Sequence, residues 1–232
     1  MNKFGKLYIV ATPIGNLEDI TLRALRVLKE VDLILCEDTR VTKKLLDRYE
    51  ISKPLLSYHH HSKLSRVEKI IEHLENGKNL ALVSDAGTPG ISDPGNELIA
   101  QLAKVQPSPL LRLNLSIIPI PGPSAITAIA SVAGINMSRF SFLGFPPHKK
   151  GRETFFRKVA EAKYPVVFFE SPHRFLKNLE LLSKFKPDAK LIVGRELTKM
   201  FEEISRGGVG EIGEYFEKNP EKIRGEFVII VC

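Results

Sequence analysis

Short apolar runs alternate with amphipathic segments along the first 120 residues of the chain. Five runs have the length and the apolar content of strands, and the fourth of them is typical of a buried strand. They are Leu7–Ala11, Val31–Cys36, Leu55–Tyr58, Leu80–Val83 and Leu115–Ile120. After the first run, Leu22, Leu25 and Leu28 share one face of a helix that Thr21 would cap. Strands separated by helices predict a doubly wound α/β domain with a five-stranded, mainly parallel sheet and right-handed crossovers.

The pattern changes after the chain-breaking segment Pro121–Ser124. Further runs of apolar or alternating residues predict more strands. They are Phe140–Phe145, Pro165–Phe169, Lys190–Gly194, Glu202–Arg206 and Gly225–Val231. Helices are predicted from Ser124 to Ala133 and over Val209–Glu217. We therefore predict a second α/β domain with a mixed sheet, and we place the two domains at 1–120 and 121–232.

Composition and charge narrow the class of protein. The 232 residues are 43% hydrophobic and 26% charged, which is typical of a soluble globular protein, and no apolar run approaches the ~20 residues that span a bilayer. Two cysteines form neither a disulfide framework nor a zinc site, and the adjacent His59–His61 cannot all face one metal. We expect a cytoplasmic protein without a metal. The net charge is +7, and the part after residue 120 has 18 basic and 13 acidic residues, which suits a nucleic-acid partner without requiring one.

Polar loops rich in glycine and proline follow many of the predicted strands. The longest, Val83–Gly95, joins a predicted strand to a predicted helix, so it lies at the carboxyl edge of the sheet, where open α/β folds bind ligands. It contains Asp85 and Asp93; a purely structural turn, with Asp93 or Ser92 as a helix cap, is the alternative. The phosphate-loop, dinucleotide-binding and α/β-hydrolase motifs are missing. Exposed backbone and acids favour a small ligand with hydroxyl or amino groups.

Six segments stand in a characteristic order and spacing. They are Val10–Thr21, Glu37–Arg40, Val83–Gly95, Pro119–Ala125, Phe142–Pro147 and Glu170–Arg174. Together they resemble the ribosomal RNA small subunit methyltransferase I family, a group of tetrapyrrole-methylase-like class III methyltransferases. The resemblance implies two α/β domains with S-adenosylmethionine bound in the cleft between them. It also implies 2′-O-methylation of a cytidine ribose in the decoding region of 16S rRNA, by a homodimer.

The resemblance also assigns residues to the donor site. Asp85 matches the aspartate of the family's donor-binding loop, whereas Asp93, just before the next helix, is expected to fix the turn. The expected donor-binding residues are Pro13, Gly15, Asp85, Gly87, Thr88, Ile91, Ser124, Ala125, Glu170 and Ser171.

Methyl transfer to a ribose hydroxyl needs close alignment and a proton acceptor, but no metal. Four side chains at predicted strand ends are candidates for the general base, and the pattern does not rank them. They are Glu37, Asp38, Glu170 and His173. Arg40 and Lys199 could instead stabilise the developing alkoxide or bind phosphate.

A basic rim is expected to contact RNA. Its residues are Arg40, Lys149, Lys150, Arg152, Arg157 and Lys158, and a solvated helix face is the alternative for the cluster after residue 148. Two other functions stay open. A small-molecule methylase acting on a tetrapyrrole would be indifferent to RNA, and the basic cluster speaks against it. A non-enzymatic ribosome-binding factor would not bind the donor, and the intact glycine- and proline-rich loops speak against it.

Overall fold

The structure is a computed structural model of the chain. It describes residues 4–58, 64–93, 95–104 and 115–232. The chain divides into two compact units, Met1–Ser124 and Ala125–Cys232, and each is described by itself. The loop predicted at His59–His61 lies outside the described residues. No helix within these ranges combines the length and the apolar character that crossing a membrane requires.

The first unit contains one five-stranded sheet. Its strands are β1 (Lys6–Val10), β2 (Leu33–Cys36), β3 (Leu55–Ser57), β4 (Leu80–Val83) and β5 (Ser116–Ile120). They pair in the order β3-β2-β4-β1-β5, and every neighbouring pair is parallel. The prediction of a five-stranded, mainly parallel sheet is therefore confirmed. The carboxyl ends of all five strands lie at one edge, so their following loops come together there.

Helices cover both faces of this sheet. They are α1 (Leu22–Glu30), α2 (Thr39–Arg48), α3 (Leu64–Glu75) and α4 (Gly95–Lys104). On one face, Val27 of α1 and residues of α2 share a buried core with Val10. On the other face, Ile70 of α3 and residues of α4 pack with Leu7. The connections that follow β2 and β4 therefore leave in opposite directions on opposite faces. Their carboxyl ends form a topological switch point, where sheets of this type bind ligands.

The second unit contains a mixed sheet, as predicted. Its strands are β6 (Ser141–Phe142), β7 (Val166–Glu170), β8 (Lys190–Arg195), β9 (Glu203–Gly208) and β10 (Phe227–Val231). They pair in the order β6-β7-β10-β8-β9. The β6–β7 pair is parallel, and the other three pairs are antiparallel.

Helices and sheet of the second unit enclose a core of aliphatic and phenylalanine side chains. Its helices are α5 (Ala125–Ser131), α6 (Arg152–Glu161), α7 (Phe175–Phe185) and α8 (Val209–Lys218). Residues of α6, α7 and α8 pack against one face of the sheet. Phe175 of α7 stacks on Phe227 of β10 with ring centroids 4.4 Å apart, and Phe216 of α8 meets the same pair edge-on. Each such buried ring contributes roughly 1.5–3 kcal/mol to folding.

Strand β6 is shorter than the predicted run Phe140–Phe145. Two backbone hydrogen bonds continue the pairing beyond it, from Leu143 N–H to Val167 O at 3.0 Å and from Phe169 N–H to Gly144 O at 2.9 Å. Gly144 then has a φ of 66°. This left-handed conformation, which glycine tolerates and other residues resist, turns the chain out of the strand.

Candidate functional site

Two backbone hydrogen bonds join the loop after β1 to the loop after β4. Thr12 N–H donates to Gly87 O at 2.9 Å, and Gly87 N–H donates back to Thr12 O at 3.0 Å. The buried Thr12 hydroxyl also donates to Ser84 O at 3.1 Å. Gly87 has a φ of 81°, and a Cβ added there would lie 3.4 Å from Ile14 Cγ2 and 3.7 Å from Pro123 O. The expected donor-binding residue Gly87 therefore lies close to the loops that follow β1 and β5.

A further hydrogen bond holds the loop after β5 to the same edge of the sheet. The Thr88 hydroxyl donates to Pro123 O at 3.2 Å. Ser124 follows, half-buried, and ends the first unit, while Ala125 begins the second unit as the first residue of α5. The loops after β1, β4 and β5 thus form one connected edge in the first unit. The expected donor-binding residues on it are Pro13, Gly15, Asp85, Gly87, Thr88, Ile91 and Ser124.

Asp93 fixes the turn that ends the β4 loop. Its Oδ1 accepts hydrogen bonds from the backbone N–H groups of Gly90 and Gly95, at 2.7 and 2.8 Å. These are the contacts expected of a residue that holds the turn before α4. Ile91, between Gly90 and Gly95 in the chain, has an exposed apolar side chain that is 41% accessible to solvent.

Asp85 and Asp38 meet at the switch point between β4 and β2. Asp85 is exposed, and its Oδ1 accepts from Asp38 N–H at 3.1 Å. Asp38 is the N-cap of α2: its Oδ1 accepts from Arg40 N–H at 2.8 Å. The guanidinium of Arg40 also donates to both carboxylate oxygens, with Nη2 2.6 Å from Oδ2. These bonds lower the pKa of Asp38 to about 2.

Two neighbours in chain order lie beside this pair. Glu37 is half-buried, and its carbonyl accepts from the Ser57 hydroxyl at 3.2 Å. Cys36 is the buried last residue of β2. Burial raises the pKa of its thiol, with smaller contributions from nearby carboxylates. The thiol is therefore held neutral.

In the second unit, the Glu170 carboxylate is buried, with only 2% of the residue exposed. Its Oε1 accepts from Ser171 N–H at 2.7 Å, and its Oε2 accepts from the Asn178 amide. The guanidinium of Arg174 lies 3.6 Å from Oε1. Arg174 also donates to the Ser171 hydroxyl at 3.1 Å and to Pro146 O at 2.9 Å. Glu170 is therefore the centre of a network that fixes the turn after β7.

His173 lies on that turn, within the short 3-10 helix Pro172–Arg174, and it is exposed. No described residue forms a hydrogen bond or an ion pair with its imidazole. The sequence reasoning did not assign Arg174 and Asn178 to the site. Glu170 ends β7, whereas Arg174 lies on the following turn and Asn178 on α7. The available signal was the position of Arg174 within the polar segment Glu170–Arg174, and nothing local indicated Asn178.

Lys199 is held between two carboxylates. Its Nζ lies 2.8 Å from Glu196 Oε1 and 3.0 Å from Glu226 Oε2. Burial alone would lower the pKa of Lys199, but the hydrogen bonds to the two carboxylates outweigh it and raise that pKa. Lys199 therefore stays charged and serves as a clamp between the β8–β9 turn and the start of β10.

The basic residues expected to contact RNA fall in two places. Arg40, in the first unit, is 87% exposed at its side chain and pairs with Asp38. The others lie just before α6 or within it in the second unit, and they are Lys149, Lys150, Arg152, Arg157 and Lys158. The guanidinium of Arg157 packs over the Phe185 ring at 4.5 Å from its centroid. Among the residues that the structure describes, no group of three or more His, Cys, Asp or Glu side chains could hold a metal ion.

Comparison with known proteins identifies the family. A family model described as Tetrapyrrole (Corrin/Porphyrin) Methylases matches residues 6–213. The chain is 44% identical over 227 residues to the ribosomal RNA small subunit methyltransferase I of Thermotoga maritima, covering 98% of each chain.

Solved structures agree on the fold. The methyltransferase CobJ superposes with a TM-score of 0.70 at 20% identity, over 98% of this chain and 93% of that chain. The Thermus thermophilus uroporphyrin-III C-methyltransferase, complexed with S-adenosylhomocysteine, superposes with a TM-score of 0.62 at 18% identity, over 98% and 97%. The chain therefore belongs to the tetrapyrrole methylases and, within them, to the ribosomal RNA small subunit methyltransferase I family.

Proposed function

We propose that this protein transfers the methyl group of S-adenosylmethionine to the 2′-hydroxyl of a cytidine ribose in the decoding region of 16S rRNA. The 44% identity to the Thermotoga maritima enzyme, over 98% of each chain, is the observation that carries the proposal. The choice of a ribose hydroxyl and of a cytidine rests on the resemblance of the six ordered segments. We further propose that the protein acts in the cytoplasm as a homodimer.

The carboxyl edge of the first sheet fits the proposed donor. Asp85 is exposed, one of its oxygens accepts from Asp38 N–H, and no described residue donates to the other. A carboxylate with a free oxygen suits the amino and hydroxyl groups of S-adenosylmethionine. The exposed side chain of Ile91 offers apolar surface for the adenine, and Thr88 and Gly87 fix the loop in between. When bound, the donor supplies a methyl group already activated on a sulfonium.

The contacts within the second unit distinguish the two expected donor-binding residues after β7. Glu170 has no free oxygen for a ligand, because Ser171, Asn178 and Arg174 occupy both. Its contribution is to hold Ser171 and the turn after β7 in place. We therefore propose Ser171, rather than the Glu170 carboxylate, as the contact of this turn with the donor.

The contacts also narrow the search for the general base. Asp38 is a poor proton acceptor, because Arg40 lowers its pKa to about 2 and it caps α2. Glu170 is buried and fully bonded. Glu37 and His173 are the two remaining candidates; His173 is exposed, and imidazole is a common general base. We propose that one of these two accepts the ribose proton.

A transfer assay tests the proposal. The protein is incubated with methyl-labelled donor and small ribosomal subunits that lack the modification, and the RNA is then digested with alkali. A 2′-O-methyl group blocks alkaline cleavage at its own nucleotide, so we expect the label in an alkali-resistant dinucleotide. Label released as a mononucleotide would place the methyl group on a base. Absence of label in RNA would refute the proposal.

A tetrapyrrole substrate is the second candidate, since it is named in the family description and in one of the solved structures. It predicts methyl transfer to a uroporphyrin-III-type macrocycle without RNA. The basic residues around α6 favour the RNA substrate instead. The same labelled donor, offered with the macrocycle alone, separates the two functions.

A further inference from the structure

A groove of about 480 Å³ lies in the second unit, where the beginning of α6 faces α7. Four basic side chains line it: Lys149 from the turn before α6, Arg152 from the first position of α6, and Lys177 and Lys184 from α7. Two acidic residues, Glu153 and Glu180, also line it. The chain thus collects charges from segments about 30 residues apart into one concave surface.

Three of the four basic side chains that line the groove have no ion-pair partner among the described residues. Lys184 is paired, with its Nζ 2.8 Å from Glu180 Oε1. Lys149, Arg152 and Lys177 form no ion pair with any residue that the structure describes. Arg152 is partly exposed, so its guanidinium can be reached from solvent.

We infer that this groove binds the phosphodiester backbone of the rRNA substrate. Lysine and arginine side chains on a concave surface focus the field that attracts a polyanion. The planar guanidinium of Arg152 can donate two parallel hydrogen bonds to one phosphate, while the flexible ammonium groups of Lys149 and Lys177 bind neighbouring phosphates as point charges. This inference rests on the proposed function, because it assigns that function's substrate to a surface.

The groove changes the expectation drawn from the sequence. Of the five basic residues near α6, only Lys149 and Arg152 line it. Arg157 instead covers the Phe185 ring. Lys177 and Lys184 take part although they lie on a different helix. The surface is therefore a two-helix groove rather than one charged helix face.

Salt-dependent binding tests the inference. Fluorescence anisotropy of a labelled single-stranded RNA with the decoding-region sequence is measured against the full chain at several KCl concentrations. The association constant K falls as salt rises, so the slope of log K against log salt is negative. Each lost phosphate contact should make this slope shallower by about 0.7. Arg152→Gln combined with Lys177→Gln should therefore make the slope shallower by about 1.4, and raise Kd roughly 25-fold near 0.1 M salt.

Two further variants make the result specific. Arg23→Gln combined with Lys29→Gln removes the same charge from exposed positions on α1, and it should leave the slope near that of the unchanged protein. Glu180→Gln should tighten binding and steepen the slope by about 0.7, because it frees Lys184. A gain of affinity cannot arise from misfolding.

The outcomes separate the groove from the proposed function. If the α6–α7 variant matches the α1 control, or if Glu180→Gln leaves binding unchanged, the groove inference is overturned. If the α6–α7 variant binds the RNA normally but binds small ribosomal subunits weakly, the groove faces a ribosomal protein, and the inference is again overturned. If the unchanged protein methylates no RNA although the groove variants behave as expected, the proposed function fails and the groove stands as an RNA-binding surface.

Discussion

The turn after β4 in the first unit and the turn after β7 in the second both place a carboxylate near the end of a strand. Asp85 lies two residues beyond its strand, is exposed, and binds one backbone N–H of the neighbouring loop. Glu170 is the last residue of its strand, is buried, and has both oxygens bonded. A shift of two residues relative to the strand end thus separates an acid that can meet a ligand from an acid that holds a turn.

This difference has a physical origin. The side chain of a strand's last residue still follows the alternation of the sheet, so Glu170 points into the protein and must be satisfied there. Asp85 follows the strand and is free of that alternation. The presence of a carboxylate at a strand end therefore does not show whether it binds a ligand or holds a turn until the orientation of its side chain is known.

The largest expected effect comes from removing the buried acid. Glu170→Ala would leave Arg174, Asn178 and the Ser171 N–H without their acceptor in a buried position. We expect the free energy of unfolding to fall by roughly 3–5 kcal/mol, measured by urea titration with circular dichroism. Glu180→Ala removes an exposed carboxylate and serves as the control, for which no measurable change is expected. If Glu170→Ala lowered the free energy of unfolding by less than about 1 kcal/mol, Glu170 would not hold the turn after β7, and its contrast with Asp85 would be lost.

Removing the exposed acid should affect binding and leave stability intact. Asp85→Ala is expected to weaken binding of S-adenosylhomocysteine about 10- to 100-fold, the range for a hydrogen bond to a charged group. Isothermal calorimetry measures the affinity, and a melting curve checks that the protein stays folded. Asp47→Ala, an exposed position on α2, is the matched control. Unchanged donor affinity in the Asp85 variant would remove Asp85 from the donor site.

The second aspartate of the same loop should behave like Glu170, on a smaller scale. Asp93→Ala removes the acceptor of two backbone N–H groups, those of Gly90 and Gly95. We expect a loss of about 1–2 kcal/mol in stability, by analogy with a lost helix cap. Asp93→Asn keeps an acceptor oxygen and should lose less, as chemical denaturation of the two variants can measure. An Asn variant as unstable as the Ala variant would mean that the carboxylate charge, not the acceptor, holds the turn.

The smallest expected effect concerns pH. The pKa of Asp38 is lowered from 3.8 to about 2 by Arg40, so its ionised form stabilises the folded state. That contribution is complete above pH 4 and is lost as the pH falls from about 4 to about 2. In Asp38→Asn, the melting temperature should therefore decline less steeply across this window than in the unchanged protein. Parallel curves would show that the Asp38–Arg40 pair contributes nothing to stability.

Much of the fold could be predicted because local patterns decide it. Apolar runs of four to six residues located the strands of the first sheet, and helical spacing located α1. The pattern of apolar residues did not predict where β6 ends, because a single backbone angle decides that point. The alternating run Phe140–Phe145 continues as a strand only to Phe142, because Gly144 turns the chain.

The candidate site was less predictable, because burial and pairing depend on residues far apart in the chain. The run of polar residues after β2 indicated a strand end, but nothing in it showed that Arg40 would neutralise Asp38. The basic cluster near α6 was visible in the sequence. The contribution of Lys177 and Lys184 depends on how α7 packs beside α6, which no local pattern encodes.

The reciprocal hydrogen bonds between Thr12 and Gly87 carry a consequence for the order of events during synthesis. The loop after β1 leaves the ribosome first, yet its partner follows 75 residues later. At ~5–20 residues per second, this interval lasts roughly 4–15 s. During that time the Thr12 amide has no partner and exchanges its hydrogen with water. Pulse-labelling of nascent chains should therefore find the loop after β1 unprotected until β4 has emerged and docked beside β1.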